Sequence, residues 1–348
     1  MKLLESSTHI YYFLLVFIFF LNILIIKKNH YFMNISNTRY DSVQKLHDKN
    51  IPRMGGAVLF LSLIFFNFFN NSTFSNYLIL SLIPLFYYSI REDLFFNVSA
   101  LTRLIAITFS ALIFLYLNLQ ELNTFKFILF DFSIQNKILL LAIFTFSLVA
   151  FTNAFNLIDG LNGLATFTSF FTLIAILISP INLNSDLYKL IYFILIFNII
   201  FILFNFPFQK IFLGDTGAYL YGFIIGIVII YSYQTSYELG ISLPIVFILY
   251  PTIEIIFSVF RKIGQGKSPF CPDRQHLHIL VFDFMKRRFS TLKANNLSTI
   301  VLLPISSFPL YSIQLVENNY FHNYWILIII FILFYLIYFI LFFKAVYD

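Results

Sequence analysis

The amino-acid sequence predicts an all-α protein, a polytopic membrane helix bundle of about eleven transmembrane helices, or ten on a tighter count, with its polar loops and active site on the cytoplasmic face. Three observations predict it. Of 348 residues, 60% are hydrophobic and only 11% charged, whereas a soluble globular domain carries about 25% charged residues. Apolar runs recur at close to the roughly 20 residues that cross a hydrocarbon core as a helix. Lysine and arginine fall unevenly on alternate loops, as the positive-inside rule requires. The competing reading, one large buried helical core, does not need runs of this length. The runs also lack the apolar/polar alternation of a membrane β-barrel. A single integral membrane domain over 1–348 is expected.

In chain order the spans read as 10–26, 55–70, 77–90, 102–119, 138–155, 163–180, 189–206, 217–233, 241–260, 297–315 and 325–343. The first ends at Lys27-Lys28 without a small-residue cleavage site, which marks an anchor and not a removed signal peptide. The single cysteine, Cys271, leaves no intrachain disulfide. Eleven spans with the N-terminus outside and the C-terminus cytoplasmic put 18 of the 22 basic residues inside and leave Lys2, Lys126, Lys137 and Lys189 outside. An error of one span would mix the two sets.

The polar residues then collect in five inner loops, 27–54, 91–103, 153–162, 205–216 and 261–296. Loops on one face of a bundle can converge on one site. A carboxylate in or near lipid is costly and marks a functional candidate.

The first loop ends Lys49-Asn50-Ile51-Pro52-Arg53-Met54-Gly55-Gly56. Its proline and paired glycines suit a tight turn and close backbone approach to a ligand. Its lysines could hold phosphate, or simply touch anionic headgroups. The second carries Arg91-Glu92-Asp93. Adjacent carboxylates repel unless a cation or proton lies between them. Mg²⁺ bridging phosphates would serve, and so would a helix cap paired with Arg91 or Arg103.

The third reads Asn153-Ala154-Phe155-Asn156-Leu157-Ile158-Asp159-Gly160-Leu161-Asn162-Gly163. Polar residues recur every three positions, which on a helix makes a slanting polar stripe with small glycines beside it. Helix packing could use such a stripe, but packing needs no carboxylate. The fourth reads Asn205-Phe206-Pro207-Phe208-Gln209-Lys210-Ile211-Phe212-Leu213-Gly214-Asp215-Thr216-Gly217. Asp215 between glycines is free to meet a metal or phosphate, and Phe212 could stack on a base. The fifth holds Pro272-Asp273-Arg274-Gln275-His276-Leu277-His278. Histidines two apart diverge on a helix, so a loop or extended turn must bring both to one ligand. With Cys271 their spacing fits no standard zinc site, and charged hydrogen bonds to phosphate suit them better.

Pro52 with Gly55-Gly56, then the acidic pair, then Asn-x-x-Asn-x-x-Asp-Gly-x-x-Gly-Leu, then Ile-Phe-Leu-Gly-Asp-Thr-Gly, then His-x-His: this order resembles the polyprenyl-phosphate N-acetylhexosamine-1-phosphate transferases of glycosyltransferase family 4. The resemblance runs from about Lys45 to His278. It implies that undecaprenyl phosphate attacks the β-phosphate of a UDP-N-acetylhexosamine, giving a lipid-linked sugar pyrophosphate and UMP with Mg²⁺ as cofactor. The setting would be the cytoplasmic membrane of a bacterium and the start of a cell-surface glycan. Phosphoryl transfer is mainly positioning and charge neutralisation, which suits a basic face with a few carboxylates. By resemblance, Asp215 is a Mg²⁺ ligand. Glu92 and Asp93 prepare the lipid phosphate or assist the metal. Asn156 and Asp159 belong to the nucleotide-sugar site, with Asn162 and Lys49 beside them. Asn205 and Phe212 stand for uridine, and His276 and His278 for phosphate. Asp159 and the two histidines join the acidic pair as candidate catalytic groups. Membrane lipid is an expected partner, nucleic acid is not, and a homodimer stays open.

The sequence departs from the family pattern at Glu92, where aspartate is usual, and at Asn162, which replaces an aspartate and can be neither base nor anionic ligand. His-x-His in place of three consecutive histidines points away from the peptidoglycan branch and towards O-antigen, capsule or teichoic-acid initiation. A transporter or flippase for an anionic substrate is the rival. It should place polar groups near mid-membrane in both halves of an internal repeat, and no repeat is visible. Glu254, seven residues before Arg261 and so about 10 Å further along a helix, is the main group off the inner boundary. A non-catalytic scaffold would not need five converging polar loops.

Overall fold

The computed structural model describes residues 8–28, 51–127, 132–236, 240–268, 273–315 and 321–347. Every expected span lies on helix. In chain order the helices are α1 (Thr8–Lys27), α2 (Gly55–Asn70), α3 (Thr73–Phe95), α4 (Ala100–Leu117), α5 (Lys137–Ile158), α6 (Leu164–Ile178), α7 (Ser185–Asn205) and α8 (Gly214–Thr235). They continue as α9 (Ser242–Phe247), α10 (Leu249–Gly264), α11 (Leu277–Lys286), α12 (Thr291–Ser306), α13 (Phe308–Leu315) and α14 (Phe321–Tyr347). The protein is a polytopic helical bundle. Seven described segments are long and apolar enough to cross a membrane: α3, α4, α5, α7, α8, Thr291–Gln314 and Tyr324–Tyr347. Three shorter apolar helices, Tyr11–Lys27, Gly55–Asn70 and Leu164–Ile178, accompany them.

The span expected at 241–260 requires correction. It is not one rod: the chain breaks at Ile248 between α9 and α10. Helix α10 is amphipathic, with Glu254, Arg261 and Lys262 along it, and falls in neither apolar group. The span at 297–315 lies along the single membrane-length segment Thr291–Gln314, with only a local turn at Ser307, three residues after Pro304. One small β-element joins the helices. Strands β1 (Phe125–Phe127) and β2 (Phe132–Ile134) pair antiparallel, with Phe125 opposite Ile134. Gln234 near the end of α8 clamps this hairpin, accepting from the Asn123 amide at 2.7 Å and donating to the Thr124 carbonyl at 3.0 Å.

Helix α8 is the axis, buried along its whole membrane-length stretch, with α2, α3 and α5 packed around it. Small residues allow this closeness. A Cβ on Gly222 would lie 2.7 Å from the Thr152 Cα of α5, and one on Gly56 would lie 2.2 Å from the Gly217 nitrogen. At the periphery, α14 buries Tyr324, Ile328, Phe331, Tyr335 and Phe339 at helical spacing and exposes Ile326, Ile330, Leu333 and Ile337. That is an inward stripe with a lipid-facing back. Inside α3, Pro84 interrupts the backbone ladder. The next amide, Leu85, donates to Ser110 Oγ of α4 at 3.1 Å. Neighbouring helices commonly satisfy backbone groups freed by a buried proline. The bond also ties α3 to α4, whose adjoining ends carry Asp93 and Arg103.

Candidate functional site

The N-terminus of α8 organises the site. The first amides of a helix have no partner within it. Here the Asp215 amide donates to Asp93 Oδ1 at 2.9 Å, and the Thr216 amide and hydroxyl donate to Asp93 Oδ2 at 2.8 and 2.6 Å. Asp93 at the end of α3 thus caps α8 from across the bundle, and a carboxylate suits the positive end of the helix dipole. Gly214 is in the left-handed region at φ +76, and a Cβ there would meet the Asp93 carboxylate at 2.7 Å. The α2 amides find partners in the same loop: Gly55 donates to the Phe212 carbonyl and Gly56 to the Leu213 carbonyl, both at 2.9 Å. The Phe212 amide donates to the Pro52 carbonyl at 2.9 Å. The Pro52 to Gly56 stretch is therefore the edge on which the 212–215 turn is laid.

Two arginines cover the carboxylates. Arg53 Nε lies 3.0 Å from Asp93 Oδ1. The guanidiniums of Arg53 and Arg103 each reach one oxygen of Asp215. The Asp93 side chain is completely buried, while Asp215 keeps 17% exposure. Asp93 is thus saturated with internal donors, and Asp215 is the carboxylate that opens outward. Of the acidic pair, Glu92 turns elsewhere: its Oε2 accepts from the Val98 amide at 2.8 Å and closes the turn between α3 and α4.

The 153–163 stretch is not one helical stripe. Helix α5 stops at Ile158, Asp159 is its C-cap, and a turn follows through Gly163 at φ +78. Asn156, half-buried, stays on the helix. Asp159 is held within electrostatic reach of Arg53, Asp215 and Asp93. Burial pushes its carboxyl up to about 8, against the pull of Arg53 and with Asp215 and Asp93 adding to the rise.

The predicted asparagines lock this turn. Asn205 is buried, accepts from the Gly163 amide and donates to the Ile211 carbonyl, so one side chain joins the third loop to the fourth. Asn162, 2% exposed, donates its amide to Asn296 Oδ1 at 3.1 Å. Its backbone amide donates to Asn295 Oδ1 at 2.8 Å, and its carbonyl accepts from Thr299 at 2.8 Å. Both side chains are thus engaged inside the protein. Phe212 is half-buried in the turn laid against Pro52. Lys49 and Cys271 lie outside the described residues.

His276 precedes α11 in extended conformation and His278 lies in its first turn. The rings stack nearly parallel, 15° apart with centroids 5.8 Å apart. Both are buried, at 1% and 3% exposure. Burial pulls the His278 imidazole down to about 4, despite Glu254 nearby and with His276 adding to the fall, so it is neutral at ordinary pH. A Cβ on Gly160 would lie 2.4 Å from His278 Nε2, which puts this ring against the turn beside Asp159. The fifth loop thereby joins the other four.

Sequence reading missed Arg53 and Arg103 as site groups, and the α12 residues Asn295, Asn296 and Thr299. Arg53 sits inside the Pro-Arg-x-Gly-Gly stretch and could have been weighted with it. Arg103 entered only as a partner for a cap. The α12 cluster carries no charge and no motif, so only contacts reveal it. Among the described residues no group of three or more carboxylate, histidine or cysteine side chains could hold a metal. Mg²⁺ needs fewer, because it binds through one or two carboxylates plus substrate phosphates and waters. Asp215, which keeps 17% exposure although both its oxygens face guanidiniums, and Asp159 are the carboxylates that could supply such oxygens.

Comparison with known proteins gives the family. Residues 75–233 match the model of glycosyl transferase family 4. The chain is 30% identical over 240 residues, 68% of its length and 69% of the relative's, to the undecaprenyl-phosphate alpha-N-acetylglucosaminyl 1-phosphate transferase of Thermotoga maritima. It is 26% identical over 281 residues to a probable undecaprenyl-phosphate N-acetylglucosaminyl 1-phosphate transferase of Bacillus subtilis, covering 72% of this chain and 71% of that protein. It is 27% identical over 314 residues to an undecaprenyl-phosphate alpha-N-acetylglucosaminyl 1-phosphate transferase of Yersinia pestis, covering 86% and 82%.

Proposed function

Because this chain belongs to glycosyl transferase family 4, we propose that it transfers an N-acetylhexosamine 1-phosphate from a UDP-sugar to undecaprenyl phosphate and releases UMP, starting a cell-surface glycan. The observation that carries this reading is the junction of five loops at the head of α8. There two guanidiniums pair with the carboxylates of Asp93 and Asp215, and Asp159 lies near enough to feel all three charges of Arg53, Asp215 and Asp93. A transporter's mid-membrane site would not explain a cluster at the helix ends.

The chemistry follows from the charges. An oxygen of the lipid phosphate bonds to the β-phosphorus, the bond from that phosphorus to the bridging oxygen breaks, and UMP leaves with the electron pair. The attacking phosphate is already anionic, so no strong base is required. The work is to bring two anions together, and Arg53 and Arg103 supply fixed positive charge for it. Mg²⁺, held by Asp215 and Asp159, would neutralise charge on the transferred phosphate. Asp93 keeps α8 and Asp215 in place. Asn205 and Asn162 hold the nucleotide-sugar turn in register, and Glu92 fixes the turn leading to Arg103.

The experiment is a panel of labelled UDP-sugars incubated with purified protein in detergent, with and without undecaprenyl phosphate. UMP release that requires the lipid, together with a labelled lipid product, is expected. A wild-type protein that releases no UMP with any donor would sink the reading.

We further place the protein in the bacterial cytoplasmic membrane with its N-terminus outside and its C-terminus in the cytoplasm. The test uses the 261–296 segment, which holds eight of the 22 basic residues. Ser290 is exposed and its side chain makes no capping bond, so Ser290→Cys should cost little. In a Cys271→Ser background it should resist membrane-impermeant thiol reagents in intact cells and react after lysis. Ready labelling in intact cells would reverse the topology.

A further inference from the structure

Glu254 is a carboxylate at 1% exposure on α10, outside the five loops themselves. Ionised carboxylates are almost never buried this fully without partners. Its partners are specific. Oε1 accepts from the backbone amide of Leu277 and lies 3.1 Å from His276 Nδ1. Oε2 accepts from the Tyr335 hydroxyl of α14 at 2.8 Å. The Leu277 amide opens α11, so the carboxylate also faces the positive end of that ten-residue helix. Two turns along the same face of α10, Arg261 holds Asp273 at 3.1 Å, and Asp273 Oδ1 lies 3.4 Å from the other nitrogen of His276. His276 is therefore held through Nδ1 by Glu254, with Asp273 beside Nε2 but not hydrogen-bonded to it, and the ring is 1% exposed. Its ring stacks on His278, and His278 Nε2 lies against Gly160 next to Asp159.

We propose that Glu254 is a positioning residue for the transfer reaction: acting through His276, it fixes the turn that presents His278 to the Asp159-Gly160 corner. The structure assigns His276 the role of a strut between α10 and α11, and leaves His278 as the histidine that faces the site. This rests on the transferase reading for its consequence, and on geometry alone for the placement of the ring. Glu254→Gln preserves shape and can still accept from Tyr335. It removes the charge that holds the His276 N–H and the Leu277 amide together.

Two readouts keep the proposal and the transferase reading apart. The first is kinetic. Glu254→Gln should lower kcat for UMP release about 10- to 100-fold, as a small displacement originating far from the chemistry can, with KM for the UDP-sugar little changed. The second needs no activity. Diethyl pyrocarbonate acylates accessible neutral imidazole, and trypsin releases 275–286 with both histidines. His278 should resist acylation in the wild type and react readily in Glu254→Gln at unchanged detergent stability. Unchanged kcat, or His278 equally protected in the variant, overturns the proposal. A wild type without UMP release defeats the transferase reading, and acylation alone then judges the placement of His278. If Glu254→Gln fails to accumulate, Tyr335→Phe replaces it. Loosening one oxygen of the carboxylate should give partial acylation and a smaller fall in kcat, and wild-type values for both would overturn the proposal.

Discussion

Asp215→Asn is expected to cost transfer about 10²- to 10³-fold, because removing one fixed charge from a phosphoryl-transfer site forfeits some 3–4 kcal/mol and each 1.36 kcal/mol is tenfold in rate. Asparagine keeps the size of the side chain. The capping bonds that order α8 come from the backbone amide of residue 215 and from Thr216, so the fold should persist. The loss is expected in kcat, with a higher Mg²⁺ concentration needed for half-maximal rate, because the substitution removes an anionic oxygen that would hold the metal and the partner that orients Arg53 and Arg103. Measured UMP release across a Mg²⁺ titration decides it. A variant that works at wild-type rate in low Mg²⁺ would remove Asp215 as the metal ligand and shift that role towards Asp159.

Gly56→Ala is expected to be the most damaging single-methyl change in the described bundle. The added carbon would lie 2.2 Å from the Gly217 nitrogen and 2.6 Å from the Thr216 carbonyl carbon. Neither is a side-chain tip that can rotate away. Overpacking against movable side chains costs about 1–3 kcal/mol, and backbone against backbone should reach or exceed the top of that range. The displacement falls where Gly55 and Gly56 hold the 212–213 carbonyls, so Asp215 and Arg53 should both shift. Loss of thermal stability in detergent and near-complete loss of transfer are expected together. Gly264→Ala is the matched control, since nothing lies within 4 Å of its Cβ position, and it should change neither. A stable, active Gly56→Ala would mean that α2 and α8 can separate without consequence for the site.

Membrane architecture was legible in the sequence because the bilayer imposes a length and a polarity on each segment independently of its neighbours. The eleven apolar runs fall on helices, with turns at Ile248 inside 241–260 and at Ser307 inside 297–315, and the helix that ends the first of these carries Glu254 and, just beyond the run, Arg261 and Lys262. The residue types of the site were legible for a similar reason: carboxylates, histidines and glycines stand out against an apolar background. Their division of labour was not. Asp93 and Glu92 are adjacent in sequence, yet one caps α8 and the other a local turn, and only the packing of α3 against α8 decides which. Asn205 reads as a ligand contact, and its further task of tying two loops was hidden because its hydrogen-bond partners lie 42 residues before it and 6 after it. Arg103 and Asp215 are 112 residues apart, and their pairing depends on how α4 and α8 meet. A sequence by itself therefore determines which segments enter the membrane and which chemistry they carry at their ends, since both are properties of single residues and short runs. Tertiary structure alone decides which buried polar groups satisfy one another and which remain open to substrate, because hydrogen-bond saturation is a property of neighbours in space.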